Sequence, residues 1–254
     1  MRSAIHLALL SFLAASGAGA AELKIMATGS MAEPLKELGE AFSHKTGHTL
    51  SFSLGTTGVV MNKIKGGEKS DVIVISVEAA DALEKDGTIV AATRADVANS
   101  LLGVAVKKGA RSPDIATPDA FKNAVLAARS ISYPDPKLGA TSGVYIESLF
   151  QKLGIAEAAK AKAFVKPIGA QVADAVAKGE IELGLTFLSE LVPNKEITLV
   201  GPFPDAIQNP TLYTAAVTSG SANDEAARAF VAYITGAEAA GPLKAAGVSP
   251  AGKR

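Results

Sequence analysis

The stretch Ser53-Leu-Gly-Thr-Thr-Gly58 decides the fold, because it joins a strand-like segment to a helix-like one. In residues 49–54, apolar and polar side chains alternate with the period of two that is typical of a β-strand. Val60 and Ile64 then lie four residues apart, as on one face of a helix. Such a turn leaves the first helical N–H groups without partners, and the helix dipole adds partial positive charge there. An anion fits this turn, although the stretch taken alone is explained more simply by a threonine that caps the helix.

Residues 1–20 have the composition of a secretory signal peptide. Arg2 supplies the positive charge, residues 4–15 the apolar run, and Ala18-Gly19-Ala20 the small-residue cleavage site. The apolar run is too short to span a bilayer, and no later uninterrupted apolar segment is long enough. We therefore expect a mature chain that begins at Ala21, is exported to the periplasm and does not span the membrane.

Composition and charge exclude several classes of partner and site. The chain has 25 basic and 25 acidic residues, a balance that favours neither nucleic acid nor an anionic membrane as partner. It has no cysteine, and therefore no disulfide and no thiolate ligand or nucleophile. His44 and His48 lie four apart, but Gly47 breaks the helix between them, so we expect a solvated pair. No cofactor and no metal cation are expected.

Strand, turn and helix patterns repeat along the chain and predict an α/β protein. Residues 71–76 form a nearly continuous apolar run, typical of a strand that is covered on both faces. The pattern begins again at a predicted helix start, residues 117–119, and a strand is predicted over residues 161–165. The C-terminal helix that carries Phe230 needs a sheet to cover, which the first half of the chain supplies. We predict two lobes, 21–102 with 205–254 and 103–204, each a mostly parallel sheet flanked by helices, with a ligand cleft between them.

Several motifs, in this order and spacing, resemble the molybdate-binding family among the periplasmic binding proteins of ABC importers. The motifs are residues 27–31 after the first strand, 55–58 after the second, 71–76, 135–145 and 183–190. The resemblance covers essentially the whole mature chain. It implies the type II periplasmic binding fold, in which two lobes close on a small oxyanion that is passed to an inner-membrane permease.

The resemblance also implies which residues bind the anion. Ser30 matches the family's hydroxyl after the first strand, and Thr57 or Thr56 matches the hydroxyl after the second. A backbone N–H is expected within residues 140–143, and a further backbone contact near Val172. The candidate ligand-binding residues are Thr28, Ser30, Thr56, Thr57, Ala140, Thr141, Ser142, Val172 and Phe187.

The choice of anion stays open at this stage. A fully deprotonated tetrahedral anion offers only acceptors, so a cage of neutral donors without a carboxylate suits it. Phe187, however, stands where the family usually has a tyrosine, which removes one hydroxyl donor. Molybdate or tungstate is the first expectation, and a small organic carboxylate or another anion is the alternative.

An enzyme is not expected from these motifs. The chain has no G-x-S-x-G and no S-x-x-K motif, and the absence of cysteine removes a thiolate nucleophile. A hydrolase is therefore the least favoured alternative, and no catalytic residue is predicted. We expect a monomeric, non-enzymatic binding protein.

Overall fold

A computed structural model of the chain describes residues 20–252. The predicted signal peptide therefore lies, except for Ala20, outside the described residues. Within them the strands are β1 (Glu22–Thr28), β2 (Thr49–Gly55), β3 (Val72–Ser76), β4 (Ala95–Ser100), β5 (Leu102–Lys107), β6 (Ile131–Ser132), β7 (Leu183–Phe187), β8 (Ile197–Pro202), β9 (Thr211–Val217) and β10 (Val248–Pro250). The α-helices are α1 (Ala32–Thr46), α2 (Thr57–Lys65), α3 (Val77–Lys85), α4 (Pro118–Ala127), α5 (Thr141–Lys152), α6 (Ala156–Lys160), α7 (Gly169–Lys178), α8 (Leu188–Leu191), α9 (Asp224–Ile234) and α10 (Ala240–Ala245).

The strands form two sheets, one in each lobe. The first sheet has the order β10-β4-β9-β3-β1-β2, and the second has the order β6-β7-β5-β8. Helices flank both sheets, so the predicted two-lobed α/β class is confirmed. The sheets are mixed rather than mostly parallel, since among the strands of residues 20–252 only β1 with β2, β1 with β3, and β6 with β7 pair in parallel. In the first sheet β9, which returns from the second lobe, runs antiparallel to both β3 and β4, and in the second sheet β5 runs antiparallel to both β7 and β8.

The chain passes between the sheets twice. The first passage is at Leu101 and the second is between β8 and β9. The Gln208 side chain joins the two passages: its Oε1 accepts from the Leu102 N–H at 2.9 Å, and its Nε2 donates to the Leu102 carbonyl at 3.0 Å. The lobe boundaries near residues 102 and 205 stay a prediction.

Both ends of the described chain contribute to the first lobe. Phe230 of α9 packs edge-on against Phe42 of α1, with ring centroids 5.2 Å apart. Buried Asp71 accepts from the Lys24 N–H at 2.8 Å and from the Ser221 hydroxyl at 2.7 Å. The Asp71 carboxylate thereby links the first strand to the C-terminal segment.

Two local predictions are corrected. Residues 161–165 are not a strand, because Ala163 and Lys166 make only isolated bridges to Ile131 and Pro134. β4 was not predicted, since its sequence Ala-Asp-Val-Ala-Asn-Ser is too polar to stand out, although it lies between β10 and β9 in the first sheet. Among residues 20–252, no helix is both long and apolar enough to cross a membrane.

Candidate functional site

A small cavity lies between the lobes, with about 300 Å³ of empty space when its opening to solvent is included. Its walls come from the turns after β1 and β2 in the first lobe and from the starts of α5, α7 and α8 in the second. The lining residues are Thr28, Gly29, Ser30, Gly55, Thr56, Thr57, Pro134, Ala140, Thr141, Ser142, Ile168, Gly169, Phe187, Glu190 and Tyr213. Eight of the nine predicted binding residues are thus brought together.

The end of β1 supplies two hydroxyls. Thr28 is the last residue of the strand, and the chain turns tightly through residues 29–31 into α1. Both Thr28 and Ser30 are buried, and their side-chain oxygens lie 3.3 Å apart. Tyr213 of β9 lies beside them, and burial raises the pKa of its phenol despite hydrogen bonding to Ser30 and Thr28. The phenol therefore stays neutral at physiological pH and can donate its proton.

The two threonines that follow Gly55 make different contacts. The Thr56 side chain caps α2, because its hydroxyl oxygen accepts from the Val59 N–H at 3.2 Å, and it donates across the cleft to the Leu138 carbonyl. The Thr57 side-chain oxygen lies 3.0 Å from that of Thr141 in the opposite lobe. Capping and cleft lining are therefore not alternatives here.

The lobes touch at two glycines next to these threonines. The Gly58 N–H donates to the Gly139 carbonyl at 3.1 Å. Gly139 has the left-handed backbone conformation, with φ of 67°, which ends the turn that precedes α5. A Cβ atom on Gly58 would lie 2.6 Å from the Leu138 carbonyl oxygen, closer than such atoms can approach. This contact requires glycine on the first-lobe side.

Val172, near which a backbone contact was predicted, does not line the cavity. Val172 is fully buried in α7, and its side chain packs against Gly184 of β7 instead of facing the cleft. The residues of α7 that do line the cavity are Ile168 and Gly169, at the start of the helix. The part of α7 that faces the cavity is therefore its first turn, where the N–H groups of a helix have no partner within the helix.

Glu190 is a cavity residue that the sequence analysis missed. Its carboxylate accepts from the Thr186 hydroxyl at 2.5 Å and from the Gly169 N–H at 3.2 Å. A Cβ atom on Gly169 would collide with this carboxylate, so the helix start and the acid are fitted to each other. Burial raises the pKa of Glu190, and the bonds from Thr186, Gly169 and Phe187 only partly oppose that effect. The signal was present in the motif 183–190, where Thr186 and Glu190 lie four apart.

Phe187 lines the cavity as an apolar wall. Its ring meets that of Tyr213 edge-on, with centroids 6.1 Å apart. Tyr213, which the sequence analysis also missed, brings a phenol to the site from the first lobe. The cavity therefore contains a tyrosine hydroxyl although Phe187 lacks one.

The cavity carries no cationic side chain among its lining residues. Positive potential comes instead from the N-termini of α2, α5 and α7, of nine, twelve and ten residues, whose first residues all line it. Within residues 20–252, no cluster of histidine and acidic side chains could hold a metal ion. The arrangement suits an anion that is held by hydroxyls and backbone N–H groups.

Residues 23–249 match the family model of the bacterial extracellular solute-binding proteins. The chain belongs to this family. The resemblance to periplasmic molybdate-binding proteins is confirmed as well: the molybdate-binding protein ModA of Azotobacter vinelandii is 29% identical over 251 residues, which are 96% of each chain. A solved structure of the Azotobacter vinelandii periplasmic molybdate-binding protein has a TM-score of 0.76 at 22% identity and covers 91% of this solute-binding protein and 100% of that chain.

The prediction that this solute-binding protein is not an enzyme is wrong. A protein of Pseudomonas sp named aconitate isomerase is 34% identical over 237 residues, which cover 90% of this chain and 87% of the relative. The error has a chemical cause. Missing hydrolase motifs exclude only nucleophilic hydrolysis, whereas an isomerase that moves a proton needs one well-placed acid or base.

Proposed function

We propose that this periplasmic solute-binding protein binds a small organic acid in the cleft between its lobes. The observation that carries the proposal is the Glu190 carboxyl in the cavity wall. A fully deprotonated tetrahedral oxyanion presents acceptors on every side, so an ionised Glu190 repels it. An organic acid instead places carboxylate oxygens against the donors and C–H groups against Glu190 and Phe187.

The donor set fits carboxylates. The hydroxyls of Ser30, Thr57 and Ser142 and the first N–H groups of α5 are neutral donors that line one small space, whereas the first N–H of α7 is bonded to Glu190. A carboxylate oxygen accepts several such bonds, and each bond to a charged group contributes about 1.5–3 kcal/mol. The relative named aconitate isomerase supports an unsaturated di- or tricarboxylate as the ligand class.

A second candidate is an oxyanion such as molybdate or tungstate. The ModA relatives and the absence of a cation from the lining residues favour it. With either ligand we propose a monomeric protein that delivers its ligand to an inner-membrane ABC permease, after export by the signal peptide at residues 1–20.

Thermal unfolding with a ligand panel separates the two candidates. The panel contains trans-aconitate, cis-aconitate, citrate, molybdate, tungstate and sulfate, each at a concentration far above the expected Kd. A ligand at 100 times its Kd stabilises the folded protein by about 2.7 kcal/mol, which raises the melting temperature by several degrees. We expect the carboxylates to give this shift; a shift with molybdate and tungstate alone would contradict the organic-acid proposal and support the second candidate.

A matched pair of variants locates the binding. Thr57→Val keeps the side-chain volume and removes the cleft hydroxyl, so the affinity for the ligand should fall about fivefold or more. Thr198→Val makes the same change in β8, outside the cavity lining, and should leave the affinity unchanged. Equal affinities for the two variants would place the ligand elsewhere.

A further inference from the structure

Glu190 is held in a way that leaves it able to act on a ligand. The carboxylate accepts from the Thr186 hydroxyl, the Gly169 N–H and the Phe187 N–H. A carboxylate has about four lone-pair sites, so these three bonds leave one free. The residue is only partly buried, and the open part of its surface faces the cavity.

The surroundings of Glu190 match the needs of proton transfer from carbon. The hydroxyls of Ser30, Thr57 and Ser142 and the helix starts offer donors for negative charge that develops on carboxylate oxygens. Burial raises the pKa of Glu190 above its ordinary value, which is the direction of change that strengthens a carboxylate as a base. The bonds from Thr186 and Gly169 fix its position.

We propose that Glu190 is a catalytic acid–base residue that moves a proton along an unsaturated carboxylic acid bound in the cleft. This inference rests on the proposed binding of an organic acid. Glu190 removes a proton from the methylene carbon beside the double bond; the C–H bond breaks as an O–H bond forms. The electron pair spreads over the three-carbon unit and the attached carboxylate, and Glu190 returns the proton to the far carbon of that unit. The double bond moves by one position, nothing is oxidised or reduced, and no co-reactant is needed.

The test follows trans-aconitate by proton NMR in D₂O at pD 8. The wild-type protein should exchange the methylene hydrogens for deuterium and form the cis isomer. Glu190→Gln should slow both processes at least 100-fold, a loss in the range typical of general acid–base catalysis. The same variant should bind trans-aconitate about threefold more tightly, because a negative charge has left the wall of an anion site.

Opposite changes in binding and exchange distinguish catalysis from a structural role. If Glu190 only holds Gly169 in place, Glu190→Gln weakens binding and exchange together, and the inference falls. Glu190→Asp keeps the carboxyl group but withdraws it by one methylene from the ligand. This variant should exchange the methylene hydrogens 10- to 100-fold more slowly than the wild type. Glu180→Gln makes the same chemical change at an exposed position and should leave both rates unaltered.

Failure of the inference differs from failure of the proposed function. Wild-type protein that binds trans-aconitate without exchanging its hydrogens overturns the role of Glu190 and leaves the binding proposal standing. Exchange by Glu190→Gln within threefold of the wild-type rate does the same. Wild-type protein that binds none of the carboxylates overturns both.

Discussion

Two acids with raised pKa values, the carboxyl of Glu190 and the phenol of Tyr213, face the same cavity from opposite lobes. Burial raises both pKa values, but the consequences differ. The phenol remains neutral over the whole physiological range and acts only as a hydrogen-bond partner, whereas the carboxyl has a pKa above its ordinary value. The site thus combines one fixed donor with one group whose charge can change.

The raised pKa of Glu190 predicts how stability depends on pH. Between the pKa of an unfolded glutamate and the raised pKa, the folded protein binds more protons than the unfolded chain. The contribution of protonated Glu190 to stability is therefore complete below the unfolded pKa and is lost as the pH rises through the folded pKa. We expect the free energy of unfolding of the wild type, measured against Glu190→Gln by urea titration from pH 4 to 8, to fall with rising pH. A difference that grows with pH would mean that the pKa is lowered instead.

At the scale of elements, the first turn of α2 and the turn before α5 determine how closely the lobes approach. They meet through the Gly58 N–H, which donates to the Gly139 carbonyl, and through the Thr56 hydroxyl, which donates to the Leu138 carbonyl. The contact adjoins the Thr57 and Thr141 pair, so lobe approach and the assembly of the cavity wall are one event.

Gly58→Ala should therefore weaken ligand binding without loss of stability. Alanine is favoured over glycine inside a helix by about 1 kcal/mol, so α2 itself should be slightly more stable. The added methyl group meets the Leu138 carbonyl and Gly139, which keeps the lobes apart, and we expect affinity to fall at least tenfold by calorimetry. Gly241→Ala, in α10 with no atoms near its Cβ position, is the matched control and should bind like the wild type. An unchanged affinity for Gly58→Ala would show that closure does not need this contact.

Elements whose pattern lies within a few adjacent residues were predictable from the sequence. The alternation in β2, the apolar run of β3 and the cap of α4 are properties of a few adjacent residues. Glu190 and Tyr213 were not found, because each lies in an ordinary local pattern and enters the cavity only through packing of separate elements. Val172 lies outside the cavity for a related reason: the sequence resemblance identified the helix, but the residues of α7 that line the cavity are about one turn earlier.

For the whole molecule, Asp71 is the point where distant parts of the first lobe meet. Its two oxygens accept from Lys24 in β1 and from Ser221 beyond β9. Asp71→Asn would place an amide N–H₂ against one of these donors, leaving it without an acceptor. We expect a loss of about 2–3 kcal/mol in the free energy of unfolding, measured by urea titration. Asp205→Asn, at an exposed position, should change stability by less than about 0.5 kcal/mol. A similar small change for Asp71→Asn would contradict the role of this junction.

The paired bonds between Gln208 and Leu102 have a mechanical consequence. Two connecting segments that were not bonded to each other could bend independently, and one lobe could then slide or twist over the other. The Gln208 amide bonds both the N–H and the carbonyl of Leu102. We therefore expect the two connecting segments to act as a single hinge. Any opening and closing of the lobes is then expected to follow one axis, so that Ser30 and Thr57 face the same partners in the second lobe after each closure.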